Sequence, residues 1–247
     1  MPCPINHAYR KHTGHGTPCP YIMPKPIRAP MLSPDQTDLT VFPQTTRLAS
    51  HERYELSSCY QLNFSSQSTD HTIFDQCRLE QVNFSSTELD DFELNDVELQ
   101  ECDLANATWR KVMIYRTTIQ ACRAVGLNVN EAYFKDVIIR DTNLMLAQFR
   151  FSEFKSVRFE NCNFKGADFQ NADLRGVVFE NCDLSESEIS FANLKNTDIR
   201  GCEIKQIRAN GESLKGLIVE PFQAAYFAGL LGLNVKWTDE ENPNRQR

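Results

Sequence analysis

The sequence predicts an all-β solenoid, and two superposed periodicities predict it. Counting in fives from Phe64 to Val219 gives 32 positions, 31 of them apolar. They include Phe74, Leu79, Phe84, Leu89, Leu94, Leu99, Leu104, Trp109, Ile114, Phe149, Phe154, Phe159, Phe164 and Phe169, and the exception is Thr69. Two residues before each lies a second constrained site, running from Leu62 to Leu217, where 25 of 32 residues are Ala, Cys, Ser, Thr or Val. Only Gln67 and Glu212 are long and polar there. A helix repeats at 3.6 residues and a strand at 2, so neither explains a spacing of five. A short fixed period marks a unit that cannot bury its apolar side chains alone and stacks on its neighbours. Each unit turns one large and one small side chain inward and leaves three residues in water.

These residues resemble the pentapeptide repeat family, whose consensus is Ala-(Asp/Asn)-Leu-x-x with Phe allowed for Leu. Ala167-Asp168-Phe169, Ala172-Asp173-Leu174 and Ala192-Asn193-Leu194 meet it, and Cys162-Asn163-Phe164 and Cys182-Asp183-Leu184 are close to it. The resemblance covers roughly two thirds of the chain and implies a right-handed quadrilateral β-helix with four pentapeptides per turn. Eight turns at one inter-strand spacing each make a rod about 38 Å long.

Taken in order, residues 1–48 carry nine of the eleven prolines and no periodicity, which predicts a disordered or loosely attached leader. Its Cys3, His7, His12, His15 and Cys19 suit a solvated tail, or a start placed upstream of a true beginning at Met23 or Met31, better than a metal site. The coil is expected over 49–219, with 49–63 capping its first turn, since an open β-helix end exposes unpaired backbone. Ala124 in a large site and the oversized Trp109 predict distorted turns near the middle, without a long inserted loop. At 220–237 a helix is expected: Pro221 suits its first turn and Gly232 its end, and Leu233, Val235 and Trp237 then alternate like a short strand. Residues 238–247 are a polar tail.

Six of the nine cysteines, Cys77, Cys102, Cys122, Cys162, Cys182 and Cys202, fall on the small inward site. They read as buried hydrophobes of a reducing compartment. No motif calls for a cofactor or metal ion, no apolar run approaches the ~20 residues of a membrane span, and no signal peptide is evident. A cytoplasmic protein is expected.

The net charge of −7 hides an asymmetry: residues 50–105 hold 13 acids and two bases, Arg53 and Arg78. The densest run is Glu88, Asp90, Asp91, Glu93, Asp96, Glu98, Glu101 and Asp103, all at outward positions and so expected in solvent. A solvated face is the plainer reading, and an acidic surface that imitates DNA phosphates and binds a protein's DNA-binding groove is the sharper one. The eight acids fall within one 20-residue turn and therefore form a belt, where a duplex would present a stripe. Acidity argues against direct nucleic-acid binding.

Catalysis needs a pocket with convergent titratable groups, and this coil fills its own interior. A non-catalytic interaction scaffold with an unknown protein partner is expected. The alternative rests on Leu214-Lys215-Gly216-Leu217, Gln223-Ala224 and Leu231-Gly232-Leu233-Asn234-Val235, which are similar to the C-terminal dimer element of the Qnr-like quinolone-resistance group. That resemblance implies binding to a type II topoisomerase, DNA gyrase or topoisomerase IV. Several members carry projecting loops that this chain lacks. Phe222, Tyr226, Phe227, Leu230 and Leu231 are the candidates for a homodimer interface or an end cap.

Overall fold

In the computed structural model the described residues are 26–32, 40–41 and 47–236. They form a parallel β-solenoid closed at one end by a single helix, Pro221–Leu230. The coil is built by a constant register: Asn63, Asn83, Asp103, Arg123, Asn143, Asn163, Asp183 and Glu203 pair in succession, each 20 residues from the last. Eight layers of four pentapeptides follow from that series. The large apolar sites line the axis, and Phe64, Phe74, Phe84, Phe159, Phe164 and Phe169 are fully buried. Their rings stack between layers, as in Phe149 on Phe169 at 4.8 Å and Phe159 on Phe179 at 4.9 Å.

The small site is polar-tolerant for a local reason. At several of these sites the Oγ or Sγ donates to a carbonyl 23 residues earlier: Ser152 Oγ to Val129 O, Thr197 Oγ1 to Leu174 O, Cys102 Sγ to Leu79 O and Cys162 Sγ to Ile139 O. Thr87 and Ser187 donate instead to the carbonyl three residues earlier. A buried hydroxyl or thiol is thereby satisfied without water.

Corners repeat as strictly as the core. From His51 to Gln206 every fifth residue has a positive φ, between 43° and 74°. At one such corner Ala167 N donates to Phe164 O across Lys165 and Gly166, a turn that requires positive φ at its third residue. The Asp or Asn preceding the large residue holds the turn: Asn163 Oδ1 accepts from Lys165 N at 3.0 Å, and Asp183 Oδ1 from Ser185 N at 2.8 Å.

Both ends are capped. At the start, buried Leu48 donates its N–H to Gln67 Oε1, and Thr69 and Thr72 share a hydrogen bond, so two sequence exceptions belong to the cap. The leader is not wholly detached from the coil. Thr40–Val41 pairs in parallel with Ser57–Ser58, and Met31 N donates to Asp96 Oδ1. These two pieces of the expected disordered or loosely attached leader thus touch the coil. His7, His12, His15, Cys3 and Cys19 lie outside the described residues.

At the far end, Gln223 reaches from the helix into the open coil. Its Nε2 donates to Ile199 O and Cys202 O, and its Oε1 accepts from Glu220 N. Phe227 is buried beside it, and the Tyr226 hydroxyl accepts from Gln206 N. The expected strand is absent at residues 233–236, which are exposed and unpaired in any sheet, and Trp237 lies outside the described residues. A strand needs an edge to pair with, and within one chain the helix already covers the coil's end.

The middle keeps its register, with Thr108 paired to Asn128 and Asn128 to Gln148. A cavity of about 10 Å³ lies among Trp109, Ala124, Val129 and Phe149, and one of the same size among Phe169, Leu184, Ile199 and Ile207. Trp109 is held by Nε1 donating to Thr87 Oγ1 at 3.0 Å.

Candidate interaction surfaces

The acidic run encircles one turn, but its members differ. Glu88, Asp90 and Glu101 are exposed, while Asp91, Glu93, Glu98 and Asp103 are half-buried. Asp96 is buried, contrary to its expected exposure. Arg116 one layer on binds it with two hydrogen bonds, Nε to Oδ1 at 2.7 Å and Nη2 to Oδ2 at 2.6 Å, and Met31 N completes its shell. Burial works against ionising Asp96, and these donors outweigh it, holding the carboxyl below its ordinary range. An outward position is not a solvated one where another segment of the chain lies across it.

Three more of the eight face an arginine of a neighbouring layer: Glu98 with Arg78 at 3.0 Å, Asp103 with Arg123 at 2.9 Å and Asp90 with Arg110 at 3.8 Å. Half of the belt's charge is thus compensated by residues at the 20-residue spacing. The uncompensated field is narrower than the sequence run implied.

The five helix residues divide into two roles. Phe227 is buried and Tyr226 half-buried against the coil, so they act as cap. Phe222, Leu230 and Leu231 point outward, at 58%, 46% and 54% exposure, and Leu233 at 64% extends the same apolar surface. All four are exposed apolar side chains at the helix end of the coil.

Smaller apolar groups stand on the corners of the rod. Leu146, Phe151 and Phe191 are exposed in the left-handed region, which bulky residues avoid. Sequence reasoning passed over them, and the corner position two residues after each large site is the signal that would have found them. It also passed over His51 and His71. Their separation of 20 places them in adjacent layers, with ring centroids 4.8 Å apart and Asp70 between them.

Among the described residues the cysteine thiols are all buried. Cys59, Cys77, Cys102, Cys122, Cys162, Cys182 and Cys202 are free, and burial pushes Cys77 up to about 11. Among the described residues no helix is long and apolar enough to cross a membrane.

The interior ladder, the left-handed corners and the Asx-held turns coincide with two family descriptions. One, a pentapeptide repeat region, matches residues 92–169, and the other, eight copies of pentapeptide repeats, matches residues 162–201. The chain is a pentapeptide repeat protein. None of the curated proteins compared with it matches. Among solved structures, a trypsin-treated form of QnrB1, a plasmid-mediated fluoroquinolone resistance protein, is 25% identical over 76% of this chain and 91% of its own, with a TM-score of 0.36. HetL from the cyanobacterium Nostoc, a pentapeptide repeat protein involved in heterocyst differentiation regulation, is 17% identical over 69% and 87%, with a TM-score of 0.23. A pentapeptide repeat protein from the Arabidopsis thaliana thylakoid lumen is 18% identical over 55% and 72%, with a TM-score of 0.16. These superposition scores are low, and the fold of this pentapeptide repeat protein rests on its own ladder and on the family match.

Proposed function

We propose that this pentapeptide repeat protein is a non-catalytic scaffold that assembles as a homodimer through the outward face of its C-terminal helix and presents the rod to a protein partner. The observation that carries this reading is the division of the helix. Gln223 and Phe227 close the coil, while Phe222, Leu230, Leu231 and Leu233 stay exposed and offer apolar surface for a second copy to cover. A self-complementary patch closes at two copies. Residues 233–236 then supply an edge for pairing across the two-fold. Its described cysteines, all buried thiols, suit a reducing compartment such as the cytoplasm. Light scattering at tens of micromolar is expected to give a dimer, and Leu230→Glu a monomer with an unchanged melting profile. A wild-type monomer, or a dimeric Leu230→Glu variant, refutes the assembly.

The partner that this reading favours second is a type II topoisomerase. Its support is the exposed acids Glu88, Asp90 and Glu101 and the likeness of Leu231-Gly232-Leu233-Asn234-Val235 to the Qnr-like C-terminal element. A supercoiling assay with purified gyrase tests it, with and without a quinolone. An effect at micromolar protein supports it, and none leaves the scaffold with another partner.

A further inference from the structure

The first two layers bring together a set of donor atoms that the interaction surfaces do not use. His51 and His71 occupy the same corner in successive layers, with φ of 59° and 52°. Their backbones are fixed by the ladder, His51 N donating to Asp70 O and His71 N to Asp90 O, both at 2.9 Å. Their rings lie stacked, inclined by 23°. Asp70 sits between them: its Oδ2 is 3.4 Å from His51 Nε2 and 3.4 Å from His71 Nδ1. The three donor atoms lie within 4.8 Å of one another.

Those distances have a specific meaning. A tetrahedral Zn²⁺ ion with bonds of about 2.0–2.1 Å separates its ligand atoms by about 3.4 Å, so two of the three edges of a ligand triangle already have the required length. The third, between the imidazole nitrogens, closes by side-chain torsions of two exposed rings. A further observation goes beyond a solvated ion pair. The other nitrogen of His71, Nε2, faces Asp91 Oδ2 at 3.5 Å. A carboxylate behind a ligating imidazole fixes which nitrogen carries the proton and which is offered to the metal, the arrangement that orients histidine in metal sites. Asp70 is itself positioned by Ser50, whose Oγ accepts from Asp70 N.

We propose that His51 Nε2, an Asp70 carboxylate oxygen and His71 Nδ1 form a surface site for a divalent transition-metal ion of the zinc type, with water completing the tetrahedron and Asp91 orienting His71. The ion bridges the first and second layers at the end of the coil that lacks a helix. Its consequence is structural: it ties down the turn that the ladder supports from one side only, and binding to the folded state alone raises stability.

The test uses the full chain, purified without a histidine tag and freed of metal by chelation. Titration with ZnCl₂ in a calorimeter is expected to show one equivalent bound and a raised melting temperature. His51→Asn and His71→Asn, which keep a residue tolerant of the left-handed corner, are each expected to weaken binding at least tenfold. Asp91→Asn is expected to weaken it about tenfold or more, while Glu101→Gln leaves it unchanged. Imidazole nitrogen resonances of the loaded protein should report ligation at Nε2 of His51 and Nδ1 of His71. The leader offers competing donors, so a variant lacking Cys3, His7, His12, His15 and Cys19 is run in parallel and is expected to keep the site. Absence of binding at a tenfold excess of Zn²⁺ overturns the proposal. So does uptake that survives the double His51→Asn/His71→Asn change, or that disappears with the leader residues.

Discussion

At the scale of single residues, position within the five decides what a side chain is worth. Phe164 is fully buried and packs against Phe149, Phe159 and Phe179. Phe164→Ala is expected to cost about 4 kcal/mol, the lost transfer energy plus the cavity left in a coil that cannot collapse. Exposed Glu203→Gln is expected to fall within about 0.5 kcal/mol of wild type. Chemical denaturation that separated the two by less than 1 kcal/mol would refute the inward assignment. Corner residues follow a different rule. Each is in a backbone region that costs most L-residues about 1–2 kcal/mol, yet glycine fills only Gly126, Gly166, Gly176 and Gly201 of the corners from His51 to Gln206. The ladder and the Asx bonds meet that cost, and residues as unsuited as Phe151 and Phe191 are held there.

At the scale of elements, the two closures of the coil invite measurement. Asp96 joins the leader to the coil through Met31 N and its own layer to the next through Arg116. Asp96→Asn is expected to cost about 2 kcal/mol at neutral pH, the range for hydrogen bonds to charged groups. The sign of its pH dependence follows from the depressed carboxyl. Its contribution is present above the unfolded value of about 3.9 and is lost as pH falls through the lower folded value. The gap in melting temperature between wild type and Asp96→Asn should therefore shrink below about pH 4. A gap that widened in acid would contradict the assignment. At the other end, Gln223→Leu keeps the helix but orphans Ile199 O and Cys202 O. It is expected to cost about 2 kcal/mol, with earlier hydrogen exchange in the last turn than in the middle. Uniform exchange along the coil would show that the helix is not its cap.

At the scale of the whole molecule, charge and apolar surface lie in different places along the rod. The exposed acids sit near its start and the exposed apolar side chains of the C-terminal helix at its end, so a dimer through the helix displays two acidic ends. If a topoisomerase is the partner, binding should weaken with salt, since exposed charges are screened beyond about 10 Å at 0.1 M. Glu88→Gln, Asp90→Asn and Glu101→Gln together should weaken it without lowering the melting temperature. Asp96 is not used in that test because its loss unfolds a contact. Retained gyrase binding by the triple variant would remove electrostatic mimicry as the mechanism.

What the sequence by itself determined was the coil: a five-residue register carried by one large and one small side chain leaves a narrow stacked rod as the way to bury both. The helix and its position were legible too, because Pro221 and Gly232 bound an apolar run at the point where the register ends. Only the tertiary structure decided which outward residues meet solvent. Asp96 is outward by count and buried in fact, because a leader segment 65 residues away in sequence lies across it. Half the acidic belt is neutralised by arginines that the 20-residue pitch brings alongside. The meeting of His51, Asp70 and His71 likewise depends on that pitch, since contacts between layers are set by stacking and not by neighbours along the chain.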